Sequence, residues 1–326
     1  MIIVRTPMRI ALGGGGTDLP SYYQEHGGFV LSAAISKYIY IGINRTFTDD
    51  YFLKYSQLER VRGLDEIKHP LIREALRRHQ VGPSLEIVSL ADIPSGTGLG
   101  SSGAFTVGLL RALYAFKREH VTASALAEEA CHIEIDVLRS NVGKQDQYVA
   151  SFGGLISMEF ARDGAVRVSP LAISNPTLHD LEERLLMFFT GYSRDASAIL
   201  EHQNQQSQDK QSAMLDNLHF TKALGLRIKT ALEAGDVHGF AAMMREHWEW
   251  KRRRSPGMSN PKIDAWYELG MKNGALGGKL VGAGGGGFLL FYAGNPQALR
   301  AAMAAEGLSE VRFFFDHDGS QILTRD

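Results

Sequence analysis

The sequence predicts an α+β protein, in which strands and helices are interleaved without a regular repeat. Short β-leaning segments recur in both halves of the chain, and stretches with helical spacing of apolar residues lie between them. A sustained β-α-β order, which a doubly wound parallel sheet requires, does not emerge from this pattern. With 326 residues, the chain is long enough for about two domains.

In the first half, segments rich in β-branched and aromatic residues predict strands, and apolar residues three and four positions apart predict helices. The predicted strands are Ile2–Arg5, Arg9–Leu12, Val30–Ala34, Tyr38–Asn44, Leu85–Leu90 and Leu155–Phe160. The predicted helices cover residues 105–116 and about Ala123–Leu138.

Glycine and proline among polar residues at 162–180 predict a domain boundary, which gives lobes of residues 1–170 and 171–326. The second lobe is expected to begin with a buried strand, followed by a long helical region. Its predicted strands are Leu185–Thr190, Lys279–Val281, Phe288–Tyr292 and, last, Val311–Phe315. Its predicted helices cover about Asp195–Arg253, Pro261–Asn273 and Pro296–Glu306.

The composition excludes several classes of protein. Hydrophobic residues make up 44% of the chain and charged residues 22%, which excludes a disordered or fibrous chain. The formal net charge of -1 gives no basic face for nucleic acid or anionic lipid. The sequence shows no signal peptide, and no apolar run approaches the ~20 residues that span a bilayer. We expect a cytoplasmic protein, monomeric or homodimeric, that binds neither nucleic acid nor membranes.

The 35 glycines cluster in three places, which we call the first (residues 7–18), second (94–103) and third (279–288) glycine-rich segments. Glycine loses the most backbone freedom on folding, so runs of it are tolerated where a backbone turns sharply or approaches a ligand. The second segment lies between a predicted strand and a predicted helix. Its glycines, its hydroxyl groups and the free N–H groups of a helix N-terminus suit a phosphate.

Two alternatives to a phosphate site remain open for the second segment. Gly98, Gly100 and Gly103 match the dinucleotide pattern G-x-G-x-x-G, but no acidic residue follows at the end of a second strand, as that reading requires. A strand-to-helix turn without a ligand is the other alternative. The P-loop pattern G-x-x-x-x-G-K-[ST] does not occur in the sequence.

All three segments resemble motifs of the galactose/homoserine/mevalonate/phosphomevalonate (GHMP) kinase superfamily. Pro94–Ser102 matches the family pattern Pro-x-x-x-Gly-Leu-Gly-Ser-Ser, while Pro7–Asp18 resembles the first family motif and Lys279–Phe288 the third. The motifs occur in the family's order and cover most of the chain. Further features resemble the heptose 7-phosphate 1-kinase branch; they lie at residues 13–18, 143–148, 190–194 and 246–248.

The resemblance implies ATP and Mg²⁺ as cofactors. The second segment is expected to bind the ATP phosphates, through Pro94, Gly96, Thr97, Gly98, Leu99, Gly100, Ser101, Ser102 and Gly103. Ser102, or its neighbour Ser101, and Glu134 are the implied Mg²⁺ ligands, and two protein oxygens suffice because Mg²⁺ keeps waters and phosphate oxygens. From spacing alone, Glu134 could instead be an exposed helix carboxylate, and Asp136 competes with it for the metal.

Asp146 is the implied catalytic base, which orients the sugar hydroxyl and accepts its proton. Arg9 is expected to stabilise the charge of Asp146, with Lys144 as a second candidate. Without the resemblance, Asp146 could be an ordinary loop charge. The substrate-binding residues implied by the resemblance and the composition are Gly14, Gly15, Thr17, Asp18, Lys144, Arg194, Gly284 and Gly285.

A sugar phosphate carries about two negative charges at neutral pH, and arginine suits their recognition. The candidates are Arg194 and the basic run Lys251–Arg254, of which one or two side chains at most can face a ligand. A solvated helix end is the alternative for this run. Gly284–Gly287 could likewise be a plain hairpin instead of part of a substrate site.

The resemblance predicts two α+β lobes, the first like ribosomal protein S5 domain 2 and the second ferredoxin-like. The implied reaction transfers the γ-phosphoryl group of ATP to the anomeric hydroxyl of a heptose 7-phosphate, for surface polysaccharide synthesis. A galactokinase-like or fucokinase-like sugar 1-kinase is the alternative among enzymes. A sugar- or nucleotide-binding regulator without catalysis is the alternative from another class.

Overall fold

The computed structural model describes residues 1–191 and 197–325. Two β-sheets, each flanked by helices, form its frame. The first sheet has the strand order β12-β1-β2-β5-β3-β4, with β6 paired to β2 and β7 paired to β6; the second has the order β11-β8-β10-β9. The strands are β1 (Ile2–Gly13), β2 (Gly28–Arg45), β3 (Tyr51–Lys54), β4 (Leu58–Val61), β5 (Leu85–Ala91), β6 (Leu155–Phe160), β7 (Val166–Pro170), β8 (Leu185–Phe189), β9 (Ala275–Leu280), β10 (Phe288–Ala293), β11 (Ser309–Glu310) and β12 (Gln321–Arg325).

Helices connect these strands and cover the sheets. They are α1 (Pro20–His26), α2 (Pro70–His79), α3 (Ser101–Lys117), α4 (Ala123–Cys131), α5 (Gln145–Phe152), α6 (Asn175–Arg184), α7 (Ser197–Gln208), α8 (Ser212–Glu233), α9 (Val237–Arg252), α10 (Pro261–Lys272) and α11 (Pro296–Ala305). None of the helices in the described part of the chain is long and apolar enough to cross a membrane.

The first two strands are longer than the sequence predicts. β1 joins the two predicted segments Ile2–Arg5 and Arg9–Leu12, and β2 does the same for the next pair. The β1–β2 register shifts between Pro7 and Met8, where an irregularity accommodates a proline that cannot donate to the ladder. β1 carries Arg9 and ends in the glycine turn, so it leads directly into the candidate site.

The predicted helix Ala123–Leu138 is interrupted. α4 ends at Cys131, and a π-helical turn, His132–Val137, continues the chain. Such turns insert an extra residue and redirect the side chains that follow. Here the turn carries Glu134, which is buried at 2% exposure, whereas Asp136 two residues later is exposed.

The predicted helical region from Asp195 to Arg253 is confirmed over its described residues, where short breaks divide it into α7, α8 and α9. One prediction for the second half is wrong. The predicted last strand, Val311–Phe315, forms only the isolated bridge between Ile35 and Phe315. The last strand is β12, which pairs antiparallel with β1 and places Ile2 opposite Arg325.

The core follows the two sheets. One large apolar cluster joins the first sheet to α2, α3 and the inner faces of α8 and α9, and a second cluster lies under α10 and α11 against the second sheet. The second sheet consists only of residues from the predicted second lobe, whereas β12 joins the first sheet. The division at residue 170 stays a prediction. The interleaved α+β architecture is confirmed.

Candidate active site

One cleft of about 1090 Å³ brings residues of all three glycine-rich segments to a common wall. The first segment contributes Gly15, Gly16 and Asp18, and the third contributes the residues from Lys279 to Ala283. The second segment lines the cleft with Pro94, Ser95, Gly96, Gly98, Gly100, Ser101 and Ser102. Residues that are up to 270 positions apart in the sequence therefore share one site.

The second segment ends in the N-terminus of α3. Gly100, at φ 77°, occupies the position before the helix, and no side chain caps the first turn. The first N–H groups of the helix are therefore left for a ligand, and the helix dipole adds positive potential there. This is the arrangement that an anionic group such as a phosphate requires.

The second and third segments approach each other backbone to backbone. A Cβ atom built on Gly282 would lie 2.3 Å from the Cα of Gly98, and one on Gly287 would lie 2.1 Å from the carbonyl oxygen of Thr97. Side chains at these positions would push the two segments apart. Glycine is therefore required here by close approach as well as by the positive φ of Gly98 and Gly282.

Asp146 lies in the first turn of α5 and faces the second segment. Its Oδ1 accepts a hydrogen bond of 2.7 Å from Nε of Arg9. The Nη1 atom of Arg9 donates to the carbonyl oxygen of Gly98 over 2.5 Å. A Cβ on Gly103 would lie 2.6 Å from the Cβ of Asp146. Arg9 thus joins the carboxylate to the loop, and the side chain of Asp146 keeps 22% exposure toward the cleft.

Glu134 and Ser102 form a second polar pair. The Ser102 hydroxyl donates to Oε2 of Glu134 over 2.7 Å, and Gln147 donates to Oε1 over 2.9 Å. Burial raises the pKa of Glu134, although these donors oppose the shift. No basic side chain of the described residues forms an ion pair with it, and the neighbouring Oε1 of Gln147 is buried without a donor.

A magnesium ion fits this pair. Hard oxygen donors from one hydroxyl and one carboxylate suit Mg²⁺, and a buried carboxylate without a cation gains from one. Within the described ranges, no group of three or more His, Cys, Asp or Glu residues could hold a metal by itself. Such an ion would therefore need oxygen atoms from a bound substrate as further ligands.

Asp18 lies beside this site and is fully buried. Its carboxylate accepts from the N–H groups of Gly16 and Gln145 and from the Gln145 side chain, at 3.1 to 3.3 Å. Burial and then the nearby charge of Asp146 raise its pKa. A Cβ on Gly143 would lie 1.9 Å from Oδ2 of Asp18, so only glycine leaves room for this carboxylate.

Several residues expected to bind substrate lie elsewhere. Lys144 points out of the cleft, because its Nζ donates to the carbonyl oxygen of Gly164 over 2.7 Å. Gly284 and Gly285 pack against Met258 behind the cleft wall. Arg194 lies outside the described residues. Five further members of the predicted set are near the cleft but support its loops without lining it: Gly14, Thr17, Thr97, Leu99 and Gly103.

The structure shows which basic residues reach the cleft, two of them from the predicted basic run. His247 and Lys251 on α9, Arg254 just after it and Lys279 on β9 are all buried and line the inner wall of the cleft. Lys251 and Arg254 belong to the predicted basic run, whereas Arg253 between them is exposed. Lys279 stands at the start of the third segment, a position that gave no signal by itself.

The opposite end of the cleft is apolar and aromatic. The rings of His69 and Phe105 stack with centroids 5.0 Å apart, and Tyr55 meets His69 edge-on at 4.6 Å. Ile39 and Leu71 complete this wall. Flat aromatic and aliphatic surfaces of this kind suit a planar heterocycle.

The similarity of the chain to known protein families agrees with this geometry. The model described as "GHMP kinases N terminal domain" matches residues 67–154, and the one described as "GHMP kinases C terminal" matches residues 228–308. The D-glycero-alpha-D-manno-heptose 7-phosphate kinase of Campylobacter jejuni is 33% identical over 303 residues, with 89% of each chain covered. The chain belongs to the GHMP kinases.

Other similar proteins agree with this family. The L-fucokinase/L-fucose-1-P guanylyltransferase of Bacteroides fragilis is 27% identical over 90% of this chain, which spans 35% of that longer protein. Among solved structures, a D-glycero-D-manno-heptose 1-phosphate kinase from Bacteroides thetaiotaomicron superposes with a TM-score of 0.80 at 25% identity, covering 99% of both chains. A galactokinase of Lactococcus lactis, at 16% identity and a TM-score of 0.77, shares the fold.

Membership of the GHMP kinases confirms the predicted superfamily and its α+β fold. It also confirms a phosphotransferase that acts on a sugar hydroxyl, as the heptose-phosphate kinase relatives support. The dinucleotide reading of the second segment is wrong, because this segment belongs to the matched kinase domain.

Proposed function

We propose that this GHMP kinase transfers the γ-phosphoryl group of ATP to the anomeric hydroxyl of D-glycero-α-D-manno-heptose 7-phosphate. The observation that carries the proposal is the position of the Asp146–Arg9 pair. It contacts the second glycine-rich segment on one side and lies near Asp18 on the other. Such a placement puts a proton acceptor between a site for an anion and a site for a polyol. Localisation in the cytoplasm stays a prediction.

In this proposal, Asp146 orients the attacking hydroxyl and accepts its proton as the bond to phosphorus forms. Little covalent help is needed for phosphoryl transfer, so alignment and charge stabilisation account for most of the catalysis. Arg9 fixes the Asp146 carboxylate through Nε and the loop through the Gly98 carbonyl, which keeps the acceptor and the phosphate site in register. Asp18 accepts hydrogen bonds from sugar hydroxyls.

The second segment and the N-terminus of α3 bind the nucleotide phosphates, and the aromatic end of the cleft takes the base. Ser102 and Glu134 would hold Mg²⁺, which would supply positive charge next to the nucleotide phosphates. Glu134 must then be ionised, although burial raises its pKa in the protein alone. The Ser102 hydroxyl and the Gln147 amide stabilise that ionised form.

The names of two relatives support a heptose phosphate but place its phosphate differently. The C. jejuni relative is named a 7-phosphate kinase, whereas the B. thetaiotaomicron structure is titled a 1-phosphate kinase. We favour the 7-phosphate as substrate, because the relative with this name has the higher identity over most of the chain. The product is then the 1,7-bisphosphate.

A substrate panel tests the proposal. The protein is incubated with ATP and Mg²⁺ and each of heptose 7-phosphate, galactose, fucose and mannose, and ADP release is measured. Heptose 7-phosphate should give a kcat/KM at least about tenfold above the others, and phosphorus NMR should locate the new phosphate at carbon 1. Faster turnover of galactose or fucose would favour the galactokinase-like or fucokinase-like alternative, and no ADP release at all would favour a regulator.

A further inference from the structure

The inner wall of the cleft concentrates positive charge without acidic partners. Lys251, Arg254 and Lys279 have 7%, 7% and 3% exposure, and no acidic group of the described residues lies within ion-pair distance of any of them. Buried basic side chains are ordinarily paired, because removing a charge from water is costly. Three of them together, all lining the cleft, indicate an anion that binds there.

Each of these side chains is anchored and still keeps hydrogen-bond donors for a ligand. Lys279 donates to the carbonyl oxygen of Leu12 over 3.0 Å and lies 3.2 Å from Nδ1 of His247. Lys251 donates to the carbonyl oxygens of Leu280 and Gly282. An ammonium group has three donors, so one N–H remains on each lysine.

Arg254 is held in the same way. Its Nε donates to Asn217 and its two terminal nitrogens to the carbonyl oxygen of Gly15 and the hydroxyl of Thr221, at 2.7 to 2.9 Å. A guanidinium group has five donors, so two remain. Fixed side chains with unused donors lose little entropy when an anion binds.

Without a bound ligand, the positive charges of Lys251, Arg254 and Lys279 repel one another. Burial, followed by the charges of Arg9 and Arg254, lowers the pKa of Lys279 to about 7. Burial lowers the pKa of Lys251 in the same sense, and it lowers that of Arg254 to about 10, although the nearby charge of Asp18 opposes this shift. A phosphate dianion supplies the missing negative charge and favours the protonated lysines.

We propose that Lys251, Arg254 and Lys279 form the subsite that binds the phosphate group already carried by the sugar substrate. This inference rests on the proposed function, since it assumes a phosphorylated sugar. Arg254 and Lys279 hold carbonyl groups of the first segment, at Gly15 and Leu12, next to Asp18. The nucleotide phosphates have a separate site at the second segment and the N-terminus of α3.

Lys279→Met tests the subsite, with Arg253→Met as a matched control from the exposed position of the basic run. The KM for heptose 7-phosphate should rise at least about tenfold in Lys279→Met, because a hydrogen bond to a charged group is lost. The KM for ATP should change less than about threefold. Lys279→Arg should recover part of the loss, and Arg253→Met should match the wild type.

Two measurements keep the outcome clear. Thermal unfolding shows whether Lys279→Met folds, and calorimetry measures binding of heptose 7-phosphate without ATP. A similar rise in both KM values, or unchanged heptose 7-phosphate binding in the folded variant, would overturn the subsite alone. A wild-type enzyme that does not prefer phosphorylated over unphosphorylated sugars would overturn both the subsite and the proposed substrate.

The pH profile gives an independent readout. The groups that face Lys279 are Arg9 on β1, His247 and Lys251 on α9 and Arg254 after it, all basic. Because protonated Lys279 binds the dianion, kcat/KM for the sugar phosphate should fall as pH rises through about 7. Lys279→Arg should shift this descending limb to higher pH, since arginine stays protonated. If the descending limb of the pH profile does not shift, a group other than Lys279 controls it, and Lys279 is not part of the subsite.

Discussion

The two sides of the cleft differ in the partners of their charged side chains. On the carboxylate side, Asp146, Glu134 and Asp18 each accept hydrogen bonds from donors within the protein. On the cationic side, Lys251 and Lys279 donate to carbonyl groups and contact one histidine, and they form no ion pair within the described part of the chain. The carboxylate side is therefore organised before any ligand binds. The two lysines keep charges without an ion-paired carboxylate, which in our proposal the substrate phosphate neutralises.

The largest effect is expected on the carboxylate side, from Asp146→Asn. The amide keeps the shape of the side chain but accepts no proton, so kcat should fall by roughly a thousandfold. Binding of ATP, measured by calorimetry, should change less than about threefold. A kcat close to that of the wild type would show that Asp146 is not the base, and the contrast between the two sides would lose its basis.

A smaller effect is expected from Glu134→Gln, since one of the two proposed protein ligands for Mg²⁺ then keeps only an amide oxygen. We expect kcat to fall by roughly a hundredfold and half-maximal activity to require more Mg²⁺. Asp136→Asn is the control, because Asp136 is exposed and pairs with His132. Equal losses in both variants would exclude Glu134 as the specific ligand.

The smallest effect is expected from Gly103→Ala, which tests how closely the carboxylate side is fitted. The added Cβ would lie 2.6 Å from that of Asp146 and displace it by a fraction of an ångström, so kcat should fall by roughly tenfold. Gly82→Ala meets no atom within 4 Å and should behave as the wild type in activity and thermal unfolding. If Gly103→Ala also leaves kcat unchanged, α5 can shift without cost and the carboxylate side is not rigid.

The carboxylate side was predictable mainly through the resemblance to GHMP kinases. The glycine-rich segments stand out in the sequence itself, whereas Asp146 and Glu134 were implied only by the resemblance. The structure brings residues of these segments and both carboxylates to one cleft. What the pattern could not supply is the π-helical turn that buries Glu134 and exposes Asp136, because one extra residue in a helical turn leaves no mark in apolar spacing.

The cationic side was predicted only in part, for a physical reason. Lysines are seldom buried, so Lys279 in a short strand reads as a solvent-facing residue, and only the packing of α9 on β9 encloses it. The basic run gives no sign that Lys251 and Arg254 turn inward while Arg253 turns outward. Lys144 is the opposite case, because it was predicted in the site and points away from it. Its position near Asp146 along the chain does not fix where its long side chain ends.

The pairing of β12 with β1 has a consequence for how the molecule is made. Residues 2–5, the start of the strand that carries Arg9, gain their second neighbour only from residues 321–325. During synthesis on the ribosome, that edge stays open until residues 321–325 have emerged. A truncation before Gln321 would leave a bare strand edge, to which another chain could add its own strand.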